Sequence, residues 1–511
     1  MKSFVRIKEV YGNLYAYEIT PYYDKKTKNT KQKSRYLGVY KDGRIIPKRI
    51  KLPVCVFDYG EFLPFQKILG EMPVVEILKS FLSEKQVNTI LALTFNRLIR
   101  PVAANNVRSW YEGTYLSKLY GDLPLSSQSI SDFMGQIGRS SLARDFSEEF
   151  IKSVADGGPL LYDITSLSSA SRLMDVLEWG YNRDLLQLPQ LNLSILAHKD
   201  SGIPLFFDVY PGSVADVTTL KNTIMKLDAF GLKTPTLILD RGFFSETNIL
   251  ELLEGRYNFI MQAPFSSKSI RSLAAKARGS IESPENLVMY NGSTVFVEKI
   301  RFNAGEKVVD GFIYYDLRRE KGEKSLFYDQ LYTAIDRLKK RRLKAGEKPS
   351  KVFQDISKGF SKYLSWSVRD RMFDIGVKKK AVAQRVNRMG FTVLLCQGGY
   401  GWEEALRWIR ERDVIEKIFM KLKNDLEATP TRAQKTEVVK GWIFVTFLSL
   451  ILRARLLKIC AETGVSEKYS IPALLLVLGR LKKVELSDGS MIVTEVTKKQ
   501  REIFKKMNLT P

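Results

Sequence analysis

The sequence predicts an α/β protein built on a sheet of buried strands, and three observations carry that reading. Short apolar runs, LLYDIT, LNLSILA, IPLFFDVY, TLILD and YNFIMQA, follow one another between residues 160 and 263, as strands buried on both faces do. Amphipathic stretches, DVTTLKNTIMKLDAF and SETNILELLEG, separate the last three of them. They have the length and periodicity of crossover helices. Finally, two runs carry an aspartate near the end, Asp163 and Asp240, and the ends of such strands are where α/β sheets bind ligands.

Each segment can be justified in order. Residues 1–60 alternate in NLYAYEI and RYLGVY around the polar stretch DKKTKNTKQKS, which predicts a small β-rich module with a basic hairpin. Residues 61–150 turn helical in VVEILKSFL, VNTILALTFNRLI and SISDFMGQIG. The serine-rich start of the last gives it a helix cap, as in helix-turn-helix units, and equally suits an ordinary packing helix. Residues 151–267 hold three neighbouring strands followed by alternating helix and strand. That is the order of a ribonuclease H-like catalytic core, of which this is the first part.

Residues 268–390 interrupt the core. NLVMY, TVFVEKI and VVDGFIYYDL predict antiparallel strands, and EKSLFYDQLYTAIDRLKKRRLK a long helix ending in a basic run. A β-rich insertion of that size needs its own fold, because structureless loops so long are rare. GFTVLLC and the helix LRWIRERDVIEKIFMKLK complete the core within residues 391–435, and residues 436–511 form a helical, basic C-terminal region. The apolar stretch GWIFVTFLSLIL, residues 441–452, falls short of the roughly 18 to 20 residues that span a bilayer. It predicts a buried core helix and no membrane partner.

Charge narrows the partners. The 511 residues carry 81 Lys and Arg against 56 Asp and Glu, a net +25, and such an excess favours a polyanion, nucleic acid first. Cys55, Cys396 and Cys460 form no close pair, which excludes a zinc cluster and a disulfide framework and suits a reduced, cytoplasmic setting. The lone His198 excludes a histidine-rich metal site and reads as structural. MKSFVRIKEVYGNLYAYEI has no apolar stretch before a cleavage site, so no secretory signal is expected.

The third acidic residue of interest is Glu416. On a continuous helix, at about 100° per residue, Arg412, Glu416 and Lys423 fall within roughly 40° of one another, beside the apolar stripe Ile415, Ile418, Phe419, Leu422 and Leu426. A carboxylate bordered by two cations can bind a metal while its neighbours hold phosphate oxygens. The plainer reading is an i,i+4 charge pair worth a few tenths of a kcal/mol.

These residues carry a family resemblance. The chain resembles the DDE transposases of bacterial insertion sequences, in the group whose third acid lies within Tyr-x2-Arg-x3-Glu-x6-Lys. Arg412, Glu416 and Lys423 keep that spacing, and Ile409 stands at the tyrosine position. LYDITS resembles the motif of the first aspartate and LDRGFFS that of the second. The wide gap between Asp240 and Glu416 resembles the subgroup with a β-rich insertion before the glutamate helix. LPQLNLSILAHKDSGIPLFFDVYPGSVADVTTL and GFTVLLC also resemble this family, so the likeness runs over roughly residues 30–500.

The resemblance implies a transposase that cleaves DNA at the element ends and joins the freed 3′-hydroxyl to target DNA. Asp163, Asp240 and Glu416 would hold two Mg²⁺ ions, replaceable by Mn²⁺, about 3.5 to 4 Å apart. Arg412 and Lys423 would bind DNA phosphates near the scissile bond. The implied partners are terminal inverted repeats and target DNA, the protein acting as a homodimer on them, in the cytoplasm at the nucleoid. A catalytically inactive DNA-binding derivative and a ribonuclease H-like structure-specific nuclease are the alternatives. Further candidates are Trp366 or Trp402 as a stacking platform for a terminal base, the run LKKRRLK (residues 338–344) as a phosphate contact, and Asp208 and Asp216 near strand ends.

Overall fold

The structure is a computed structural model. It describes residues 2–24, 27–47, 51–154, 157–169, 171, 174–180, 188–214, 216–231, 235–412, 415, 416, 418–420 and 435–511. Strands β1 (Phe4–Val10), β2 (Asn13–Asp24), β3 (Asn29–Lys41) and β4 (Arg44–Pro47) form an antiparallel sheet in chain order. Its two tight hairpins, Tyr11-Gly12 and Asp42-Gly43, have positive φ at both turn residues, the geometry that matches strand twist and that Asp-Gly supplies readily. Strand β3 runs through the polar stretch NTKQKS, which alternation alone does not mark as strand. Most of β3 is exposed on both faces, so burial imposes no apolar-polar rhythm there.

Strand β5 (Pro53–Asp58) leads into helices between Leu63 and Val154. Those helices surround one long helix, Thr436–Glu462, which is buried along most of its length. Phe146 meets Phe444 edge-on at 5.6 Å, the Arg97 guanidinium sits 4.2 Å over the Trp442 ring, and Ser449 Oγ donates to the Thr94 carbonyl at 3.3 Å. The helix Ser127–Arg139, capped by Ser126 Oγ, lies against the same long helix at glycines. Its apolar face is thus occupied by the core. Among the described residues no helix is long and apolar enough to cross a membrane.

The central sheet has nine strands. Added in chain order, they are β6 (Leu160–Ser168), β7 (Gln190–His198), β8 (Pro204–Pro211), β9 (Thr236–Leu239), β10 (Asn258–Gln262), β11 (Leu287–Tyr290), β12 (Ser293–Ala304) and β13 (Lys307–Asp316). After β14 (Leu364–Arg369) and β15 (Met372–Val377), which pair only with each other, β16 (Phe391–Gln397) completes it. Across the sheet the order is β11-β12-β13-β16-β10-β9-β6-β7-β8. Strands β6, β9 and β10 run parallel, and β7, β8 and β16 pair antiparallel to their neighbours. The helices Asp216–Ala229 and Glu246–Glu254 make the crossovers.

The region after β10 divides in two. Strands β11–β13 extend the central sheet through the β13–β16 pairing. The helix Leu317–Lys340 and the β14–β15 hairpin instead build a separate small core from Phe327, Leu331, Phe353, Tyr363 and Phe373. The C-terminal region is helical but also contributes β17 (Lys482–Leu486) and β18 (Met491–Val493), and β17 pairs with β5. This ties the chain's last segment to its first helical module.

Candidate active site

Asp163 sits within β6, one position past Tyr162, which pairs with Leu239 of the parallel strand β9. Asp240 directly follows Leu239. The register therefore brings both aspartates side by side where β9 ends. Asp163 is buried, 4% exposed, and its Oδ1 accepts the Ile164 N–H at 2.8 Å. Asp240 caps the turn Arg241–Phe243, its Oδ1 accepting the Arg241 N–H at 2.6 Å. Beneath them, buried Tyr162 accepts from Thr223 Oγ1 at 3.0 Å, and burial pushes its phenol up to about 12.

The third carboxylate arrives from a different direction, and the chain reaches it through a turn. The helix Trp402–Arg410 stops at Arg410, Glu411 and Arg412 lie in a turn, and helical residues resume at Ile415. A single uninterrupted helix therefore does not carry Arg412. Two ion pairs anchor this turn. Arg410 Nη2 meets Asp316 Oδ2 at the end of β13 at 2.7 Å, and Glu411 Oε2 meets Lys199 at 2.8 Å, just past β7. Beyond it Ile415, Ile418 and Phe419 are buried as the apolar stripe requires, and Glu416 remains largely exposed.

Arg412 gathers the three acids. Its Nη1 lies 2.8 Å from Asp240 Oδ1, and its Nη2 lies 3.5 Å from Asp163 Oδ2 and 3.4 Å from Glu416 Oε1. The side chain is 12% exposed. Burial pulls the guanidinium pKa down, but the charges of Asp163, Asp240 and Glu416 outweigh it and hold the group above its ordinary value. The buried Nε has no hydrogen-bond partner among the described residues. Sequence spacing marked Arg412 as a neighbour of Glu416. Its contacts with both aspartates are tertiary, and no spacing could have shown them.

The donor chemistry suits a hard dication. Three carboxylates supply only oxygen ligands, and they already share one positive group. Among the described residues no three His, Cys, Asp or Glu side chains stand together as a metal-holding group. The three acids instead face the guanidinium of Arg412.

The remaining sequence candidates fall as follows. Lys423, Leu422 and Leu426 lie outside the described residues. Asp208 on β8 is paired with Lys226, and Asp216 begins the helix Asp216–Ala229. Trp366 stacks on Phe353 with ring centres 5.4 Å apart in the small core. The Trp402 carbonyl accepts from Tyr314 at the start of its helix. In the basic run, Lys340 pairs with Asp336 at 2.9 Å and Arg341 with Glu347 at 2.6 Å. His198 holds the β7–β8 turn, with Nδ1 3.1 Å from Ser201 Oγ.

Comparison with known proteins adds the family. A solved structure of piggyBac transposase in a synaptic complex with hairpin DNA is similar at 10% identity and a TM-score of 0.37, covering 84% of this chain and 82% of that one. A likeness at that level carries no weight for fold or function. No curated protein matches the sequence. Residues 172–452, more than half of the chain, match the transposase DDE domain family. The match begins after Asp163 and takes in Asp240, Arg412 and Glu416, and by it the chain belongs to the transposase DDE domain family.

Proposed function

We propose that the chain is a divalent-metal-dependent transposase with a ribonuclease H-like core, cleaving DNA at element ends and transferring the 3′-hydroxyl strand to target DNA. The observation that carries this reading is the convergence of Asp163, Asp240 and Glu416, from three separate segments, on the single guanidinium of Arg412. The strand order β8-β7-β6-β9-β10, with the first three antiparallel and the last two parallel to β6, supports the core assignment.

Asp163, Asp240 and Glu416 are the residues that would hold Mg²⁺ or Mn²⁺, which when bound supplies Lewis-acid activation of the attacking and leaving oxygens. Water attacks the scissile phosphorus, the bond from phosphorus to O3′ breaks, and a 3′-hydroxyl and a 5′-phosphate result. That hydroxyl then attacks a target phosphorus and displaces its O3′. Arg412, released from the carboxylates, offers its planar fork to the phosphate oxygens, a bidentate geometry that lysine lacks. Lys423 would add a further phosphate contact.

The test uses the purified chain and DNA bearing the inverted repeats that flank its gene. Asp163→Ala, Asp240→Ala and Glu416→Ala should each lower cleavage by about a thousandfold, or roughly 4 kcal/mol, with DNA binding retained. Ca²⁺ should support binding without cleavage. Near wild-type cleavage by two of the three variants, or robust cleavage in excess chelator, would remove this reading.

A further inference from the structure

A cleft of about 900 Å³ opens beside the candidate active site, between the loop after β10, the helix Leu317–Lys340 and the helix Lys379–Val386. Five cationic side chains line it: Arg241, Arg271, Lys362, Arg385 and Arg388. A smaller recess continues from it toward the sheet and shares Arg241, Arg385 and Arg388. Glu323 is the one carboxylate among the described lining residues of either. It is already engaged, taking Arg319 Nε at 2.8 Å and the Gly390 N–H at 3.0 Å.

The five cations thus share the cleft with one carboxylate, and that one is taken up by Arg319 and Gly390. None of the five makes an ion pair with a described carboxylate. Arg271 donates to the carbonyls of Phe265 and Ser266 at 3.2 and 2.6 Å, and Lys362 lies 5.2 Å over the Tyr363 ring. Burial and then the like charges of Arg271 and Arg385 hold Arg388 below its ordinary pKa. Mutual repulsion of this kind is relieved by a bound polyanion. Phe327, Phe360 and Tyr363 add an apolar wall.

We propose that this cleft binds the backbone of one unpaired DNA strand, the stretch that adjoins the scissile phosphate. The proposal rests on the transposase reading and deepens it. Arg241 carries the cleft to the catalytic carboxylates, because it follows Asp240 and its N–H is bound by that side chain. The volume is that of cavities enclosing a single small ligand. That is room for part of one strand. A cationic groove with aromatic walls is the chemistry that single strands use.

The test is fluorescence anisotropy in chelator, so that nothing is cleaved, with a labelled single strand of about ten nucleotides and, separately, the same sequence as duplex. Arg385→Gln/Arg388→Gln should weaken binding of the strand about tenfold or more. It should also flatten the slope of log affinity against log salt by about 1.4, two phosphates at about 0.7 each. Duplex binding should change little, and Lys339→Gln, outside the cleft, should match wild type. Arg385→Lys/Arg388→Lys provides the charge-retaining variant should the glutamine pair lower the melting temperature. An unchanged affinity and slope would overturn the cleft assignment, and equal losses on strand and duplex would overturn the unpaired strand. Wild-type protein that binds no DNA at all would instead sink the transposase reading itself.

Discussion

Arg412 Nη1 and Asp240 Oδ1 stand 2.8 Å apart, and the other terminal nitrogen of the same guanidinium reaches Asp163 and Glu416. One cation therefore offsets the mutual repulsion of three acids brought together from two strands and a helical segment. The same acids hold the Arg412 guanidinium above its ordinary pKa against the opposing effect of burial. Arginine is suited to this because its fork presents several donors in a fixed plane.

The first prediction follows from that sharing. Arg412→Gln leaves the carboxylates facing one another, so in chelator it should cost roughly 3 kcal/mol, the lower end for breaking a buried pair because Asp240 is a quarter exposed. Millimolar Mg²⁺ or Mn²⁺ should recover part of that loss by taking over the charge, since a ligand of the folded state alone stabilises it. Urea unfolding with and without metal reads both effects. An equal loss in the two conditions would show that the carboxylates accept no dication in place of the guanidinium.

A second prediction concerns Lys423. If helical phase continues past Met420, Lys423 lies about 20° from Glu416 and Lys421 about 140° from it. Lys423→Ala should then lower cleavage of cognate ends more than it lowers stability, and Lys421→Ala should behave as an ordinary surface change. Cleavage assays beside thermal melts decide it. Equal losses from both would mean diffuse positive charge in place of a positioned contact.

How far the sequence reached depends on whether each feature is local. The runs LLYDIT, LNLSILA, IPLFFDVY, TLILD and YNFIMQA all lie in β6 to β10, because strands buried on both faces have no choice but to be apolar. The polar half of β3 carried no such signal, as its residues are solvated on both faces. In the site, Asp163, expected at a strand end, lies in the middle of β6, whereas Asp240 was visible from the end of its strand and Glu416 from its spacing. The break before Ile415 was not, since RERDVIE contains neither Gly nor Pro to mark a stop. Nor were the cleft arginines. Arg241, Arg271, Arg385 and Arg388 are scattered through the sequence, and only tertiary packing sets them against one another.

Thiol chemistry offers a third, inexpensive check on the fold. Cys55 is exposed on β5, whereas Cys396 and Cys460 are buried, and burial pushes their thiols up to about 12 and about 11. The reactive species is the thiolate. At pH 8, where groups so raised stay protonated, a thiol reagent should label one cysteine rapidly in the folded protein and all three in urea. Rapid labelling of more than one in the folded state would contradict the packing of β16 or of the long helix.

The fourth prediction turns on sign. Replacing glycine by alanine within a helix ordinarily stabilises it by about 1 kcal/mol. At Gly138 an added Cβ would fall 1.8 Å from the Glu437 carbonyl oxygen, and at Gly441 it would fall 2.2 Å from that of Met134. Both obstacles are backbone atoms, which cannot step aside as a flexible side chain does. Gly138→Ala and Gly441→Ala should therefore destabilise by roughly 1 to 3 kcal/mol as the helices Ser127–Arg139 and Thr436–Glu462 are forced apart. The control is Gly322 in the helix Leu317–Lys340, where an added Cβ would meet nothing within 4 Å. Gly322→Ala should stabilise by about 0.5 to 1 kcal/mol through propensity alone. Urea midpoints of the three variants would separate the two effects by direction, and a gain in stability at Gly138 or Gly441 would mean that these helices do not meet at their glycines.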